Sequence, residues 1–225
     1  MLELEARAEP SRLMSWASPL LAVVLMLAGG MAVFAALGKD PVEGFRVFFL
    51  NPVKDLYALS ELLLKATPLM LCAIGLAIGF RANVWNIGAE GQFMLGAVAA
   101  TGVALYFEGS ETSLLLPAMN VAGAAGGAAW AAIPALLRTR FNANEILVSL
   151  MLVYVAQLFV SWLVFGPWKD PDGFNFPQTR MFGDAALMPV LLEGTRLHLG
   201  FALAIALLVA GYAFMNRSYA GFRMW

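Results

Sequence analysis

The chain has one cysteine, one histidine and few charges. Cys72 has no second thiol to pair with, so an intramolecular disulfide framework and a thiolate metal site are both excluded. It reads as a small buried hydrophobe. His198, at the start of an apolar run, reads as an interfacial structural residue. The sequence also has no G-x-S-x-G and no H-E-x-x-H, so no metal ligands and no nucleophile are assembled. A membrane-embedded enzyme would have to rely on an unfamiliar carboxylate mechanism. Only 13% of the 225 residues are charged, against about a quarter in soluble domains. Lys plus Arg number 14 and Asp plus Glu 15, so there is no basic field to hold nucleic acid.

What is present is apolar sequence. Hydrophobic residues make up 61% of the chain, and the mean hydropathy is +0.76. The expectation is an all-α integral membrane protein, a polytopic helical bundle forming one transmembrane domain over residues 1–225. A span needs about 20 predominantly apolar residues. Six segments qualify: 19–37, 62–80, one ending near Phe107, 114–137, 146–165 and 197–215. The opening "MLELEARAEPSRL" sets Glu3, Glu5 and Glu9 against Arg7 and Arg12 and precedes a long apolar run. That pattern predicts a retained span rather than a cleaved signal peptide.

Orientation follows the Lys and Arg positions. With the N-terminus inside, Arg7, Arg12, Arg81, Arg138, Arg140, Arg217 and Arg223 are cytoplasmic, and Lys39, Arg46, Lys54, Lys169, Arg180 and Arg196 are external. The margin is narrow. However, the loop at 108–113 carries only acids, while the tight turn "RTRFNANE" at 138–145 carries two arginines. The two long connections, 38–61 and 166–196, are then external. The second contains an apolar stretch, 185–192, too short to span, and is expected to be a structured cap with an interfacial helix. In the fourth span Gly123 and Gly127 stand four apart among small residues. This is a helix-packing pattern, because lipid gives helices no hydrophobic drive to associate and close backbone approach replaces it.

One stretch breaks the apolar pattern: "FRANVWNIGAEGQFMLGA", residues 80–97. The apolar part of the third span, 93–107, reaches only about 22 Å at 1.5 Å per residue, so the helix must extend backward through Glu90 and Gln92 to cross. An ionisable group drawn into the membrane faces a cavity or a bundle interior, and irregular backbone at depth is tolerated only there. Asn83 and Asn86 are capping types for the free amides of the helix. The picture is a broken or re-entrant hairpin around 80–92. The alternative is a short cytoplasmic turn, in which Glu90 favours the positive end of the helix dipole and pairs with Arg81.

"NVWNIGAEGQFMLGA" resembles the Asn-Ile-Gly-x-Glu-Gly-Gln segment of membrane permease subunits of bacterial ATP-binding-cassette (ABC) importers. The branch is the one for simple sugars and nucleosides, related to the branched-chain amino acid permeases. "LLRTRFNANEILVSLMLVYVA" resembles a second segment of that branch, which follows a short basic cytoplasmic turn. The resemblance runs from about Leu13 onward, and such permeases are usually longer, so a C-terminally truncated permease domain is expected.

The resemblance implies a multi-pass protein of the bacterial cell membrane that forms part of a path for a small polar solute, a nucleoside or simple sugar. It implies Asn83, Asn86, Glu90 and Gln92 as groups lining that path or shaping its gate. Arg138, Arg140, Arg217 and Arg223 would face the ATPase, the last two from a coupling segment at 216–225. Implied partners are ABC ATPase subunits, a second permease subunit in a homo- or heterodimer, an external solute-binding protein and the surrounding lipid. No G-x-x-x-x-G-K-[ST] loop is present to cradle phosphates, so ATP and Mg would bind the partner ATPase and no cofactor this chain. Asn144 and Glu145 are expected to cap the fifth span and to meet Arg138 or Arg140. The rival reading is a self-contained channel or secondary carrier, although ion-driven carriers place ionisable groups at membrane depth. Beyond Glu90 and Lys65 the spans hold almost none.

Overall fold

A computed structural model describes residues 11–224. The charges at Glu3, Glu5, Arg7 and Glu9, and Trp225, lie outside them. Each of the six apolar segments is a helix, and two short helices join them. The long ones are α1 (Arg12–Ala36), α3 (Leu56–Arg81), α4 (Ala89–Tyr106), α5 (Leu115–Phe141), α6 (Glu145–Phe165) and α7 (Gly200–Arg217); the short ones are α2 (Pro41–Phe45) and α8 (Tyr219–Arg223). Five of them, all the long helices but α4, are apolar enough and long enough to cross a membrane. α4 has 18 residues, but Glu90 and Gln92 stand in its first turns.

The chain falls into two compact units that divide within α3, one up to Leu62 and one from Leu63 on. In the first, Ser11 caps α1, its side chain accepting from the Met14 amide. Gly38 then turns the chain with φ +67°. Asp40 accepts from the Val42 and Glu43 amides ahead of Pro41, so the 38–61 connection refolds at once into α2 and a π-helical turn, Arg46–Leu50. Phe34 packs edge-on to Phe45, with ring centroids 6.3 Å apart.

In the second unit α4, α5 and α6 form the core. The α4–α5 contact is backbone on backbone. A Cβ built on Gly96 would stand 2.9 Å from the Gly123 carbonyl oxygen, and one on Gly127 would stand 3.1 Å from the Gln92 carbonyl oxygen. Gly123 and Gly127 thus lie on the face of α5 that meets α4, and the sequence order of these contacts makes the two helices antiparallel. Small residues permit such an approach where hydrocarbon offers no other drive. α6 packs through Ser149, Val153, Ala156 and Leu163, all buried.

The 166–196 connection is structured, but its apolar stretch is not an interfacial helix. Residues Asp184–Ala186 make one 3-10 turn, and the chain then runs extended. Pro189 has no amide to donate to a helix, and its preceding residue is biased toward extended backbone. The Leu191 amide donates to the Leu197 carbonyl at 2.7 Å, and the Leu199 amide to the Pro189 carbonyl at 2.9 Å. His198 ends this bridge, its Nδ1 accepting from the Gly200 amide at 3.1 Å, at the start of α7. The connection also reaches the α4–α5 turn, where Arg180 pairs with Glu108 at 2.7 Å.

Candidate functional site: a helix break inside the bundle

α3 stops at Arg81 because Asn83 takes the left-handed conformation, φ 54°, and the Val84 amide returns to the Gly79 carbonyl at 2.9 Å. The chain then runs without helix to Gly88, and α4 opens at Ala89. The start of α4 is sunk into the bundle. A Cβ on Gly88 would lie 2.9 Å from the Ser149 Cβ, and one on Gly91 would lie 3.2 Å from the Val153 Cα. Ser149 and Val153 are one and two turns inside α6, so α4 begins about 6 Å along α6 from Glu145.

Irregular backbone at that level needs internal partners, and it has them. The Ile87 amide donates to Ser149 Oγ at 3.2 Å, and that hydroxyl donates in turn to the Ile146 carbonyl at 3.1 Å. The Gly88 amide donates to Asn86 Oδ1 at 2.8 Å, while Asn86 Nδ2 donates to Gln92 Oε1 at 3.1 Å. Asn86 therefore satisfies an amide at the threshold of α4. Asn83 serves α3 and accepts from the Trp85 indole at 3.2 Å. Ser149 is 2% exposed and was not singled out by the sequence, where it looks like any small polar residue in an apolar run.

Asn86 and Gln92 face a cleft between α3 and the α4–α5 pair. One chamber, of about 520 Å³, is lined among others by Cys72, Gly75, Asn86, Gln92 and Gly127. A smaller one, of about 210 Å³, continues past Asn86 and Gln92 to Arg138, Glu145 and Ser149. Cys72 is therefore half-buried and open to a chamber, not sealed in a core, because α3 stands off from α4 and α5 at its level. Glu90 and Asn83 line neither chamber. Glu90 points to the other side of α4, exposed, where its Oε1 accepts from Gln157 Nε2 of α6 at 3.4 Å. Arg81 donates to Asn216 Oδ1 of α7 at 3.4 Å.

At the α5–α6 turn, Asn144 caps α6, accepting from the Ile146 and Leu147 amides, and Glu145 pairs with Arg138 at 2.5 Å. These are the contacts expected of that turn. Arg140 is exposed beside it. Arg217 ends α7, and Arg223 in α8 lies 6.0 Å from the Tyr219 ring centroid. Ser218 caps α8, accepting from the Gly221 amide at 2.9 Å. A separate cavity of about 570 Å³ lies at the far end of α4, between Glu108, Glu111 and the 181–186 segment.

These features define a multi-pass helical membrane protein whose polar groups gather at a helix break within the bundle. The family model for the "Branched-chain amino acid transport system / permease component" matches residues 58–225, and the chain belongs to that family. It is 38% identical to the glucose ABC transporter permease protein TsgB13 of Haloferax volcanii, over 99% of this chain and 61% of that one. It is 29% identical to the guanosine ABC transporter permease protein NupP of Bacillus subtilis, over 92% of this chain and 59% of that one. To the nucleoside ABC transporter permease protein NupB of Lactococcus lactis it is 25% identical, over 92% and 58%. The chain thus spans about three fifths of the length of these curated relatives, which are permease subunits rather than enzymes. No solved structure matches it.

Proposed function

We propose that the chain is a transmembrane subunit of an ATP-driven importer and forms part of the path of a small polar solute, a nucleoside or simple sugar. The observation that carries this reading is the sunken start of α4: a family member that holds Asn86 and Gln92 on a cleft within the bundle has hydrogen-bonding groups where a polar solute must cross. Amides donate and accept, as the hydroxyls of a sugar and the edges of a base do. Asn86 and Gln92 line the path on the α3 side, while Glu90 and Asn83 shape the break that acts as its gate.

On this reading ATP and Mg bind separate ATPase subunits, which meet the chain at Arg138, Arg140, Arg217 and Arg223. The N-terminus is cytoplasmic and the protein lies in the cell membrane. A second permease subunit completes the path, and an external solute-binding protein meets the 38–61 and 166–196 connections. The test is affinity purification of the chain from its native membranes in mild detergent, with mass spectrometry of the proteins that accompany it. The expected result is an ABC ATPase together with a solute-binding protein or a second permease. A preparation that transports solute with no ATPase present would overturn the reading.

A further inference from the structure

Along the apolar body of α6, Tyr154, Gln157 and Ser161 carry polar ends close together on one side. At 3.6 residues per turn they fall within about 60° of one another, off the buried row that packs against the bundle. Tyr154 and Ser161 are exposed and Gln157 is half-exposed. The adjoining flank of the same helix exposes Met151, Val155 and Phe159, which are wholly apolar, with the Trp162 ring among them. The outward side of α6 thus gathers these polar ends in one strip about 60° wide, which Leu150 shares and the exposed Leu147, Leu158 and Phe165 border.

Depth makes the polar flank costly. Gln157 lies about 18 Å along the axis from Glu145, past the middle of a 21-residue helix. Amides and hydroxyls without partners cost several kcal/mol in hydrocarbon, and a carboxylate at depth faces a water-filled cavity or another chain. Glu90 is such a carboxylate: exposed, on this side of α4, and hydrogen-bonded to Gln157. The bundle buries neither.

We propose that this flank of α6, together with Glu90, is a wall of the solute path, and that Tyr154, Gln157 and Ser161 are its hydrogen-bonding stations for a neutral, polyhydroxylated solute. The carboxamide and the two hydroxyls can each donate and accept. The Tyr154 ring supplies an apolar face on which a sugar or base can lie. Gln157 also positions the Glu90 carboxylate. The sunken start of α4 then stands between two polar surfaces, the Asn86–Gln92 cleft on one side and this wall on the other. The inference rests on the importer reading and adds to it residues on the outer face.

The experiment uses the whole transporter in native membranes. Gln157→Cys and Ser161→Cys are compared with Val155→Cys, on the apolar flank, for modification by a charged methanethiosulfonate, read by peptide mass spectrometry that resolves these sites from Cys72. Because a charged reagent is excluded from hydrocarbon, positions 157 and 161 should react at least roughly tenfold faster than 155, and guanosine or glucose should slow them. Equal rates at all three positions overturn the wall. ATP-dependent uptake by the unmodified transporter is measured alongside. If uptake is present with equal rates, the importer reading stands and the wall falls; if ATP-dependent uptake is absent, both fall.

Discussion

Gly88 lies against Ser149 so closely that a Cβ on residue 88 would come within 2.9 Å of the Ser149 Cβ and 3.0 Å of its carbonyl oxygen. The contact holds the non-helical segment before α4 against the first turns of α6, and the Ile87 amide to Ser149 Oγ hydrogen bond lies beside it. Gly88→Val should therefore push the start of α4 away from α6. The expected cost is about 1–3 kcal/mol, that of overpacking a filled site. It should appear as a lower unfolding temperature in detergent and as faster hydrogen exchange at residues 86–89. Unchanged exchange there would mean that the break is held by other contacts.

A second prediction separates glycines that are needed from one that is not. At Gly96 an added methyl would meet the Gly123 carbonyl oxygen at 2.9 Å, a backbone atom that cannot rotate away, whereas at Gly75 nothing lies within 4 Å. Alanine is favoured over glycine in a helix by about 1 kcal/mol. Gly75→Ala should thus be neutral or slightly stabilising, and Gly96→Ala destabilising despite the same propensity gain. Thermal unfolding of the two variants in one detergent reads the difference, and equal midpoints would contradict the α4–α5 packing.

Cys72 provides a native probe of the cleft. It is the only cysteine in the chain and lines the chamber of about 520 Å³ beside Asn86 and Gln92. A small hydrophilic thiol reagent should modify it in the assembled protein. Gln92→Trp, which fills the chamber, should slow that modification. Resistance of Cys72 to a hydrophilic reagent alongside reaction with a membrane-soluble one would place it against lipid and remove the cleft from the path.

Five of the long helices were legible in the sequence because an apolar run of the right length has few alternatives in a membrane, whereas α4 was legible only by extending a short apolar run back through Glu90 and Gln92. The predicted segment 146–165 and the observed Glu145–Phe165 differ by one residue, since Asn144 is a readable cap. An interruption around 80–92 was legible too, from the clash between polar residues and a span too short to cross without them, with a re-entrant hairpin and a short turn both open; the helices part between Arg81 and Ala89. Which way those residues point was not. Asn86 and Gln92 face the α3 cleft and Glu90 faces α6 because of the angular order of α4 about its own axis and the identity of its neighbours, which only tertiary packing supplies. Ser149 and Gln157 were missed for the same reason: in sequence each is one polar residue in an apolar run. The 185–192 stretch is apolar enough to suggest an interfacial helix, but Pro189 leaves that segment extended.

On the proposed reading the polar groups at the start of α4 serve transport rather than the dipole of one helix. Glu90 is the sharpest case, since its carboxylate reaches across to Gln157 at 3.4 Å while lining neither chamber. The most direct test is ATP-dependent uptake of labelled guanosine and glucose by membrane vesicles holding the whole complex, unmodified or with Glu90→Ala, at matched membrane levels. A hydrogen bond to a charged group contributes roughly 1.5–3 kcal/mol, so uptake should fall about tenfold or more with insertion intact. Uptake at the unmodified rate would contradict it and leave Glu90 as a partner of the helix dipole alone.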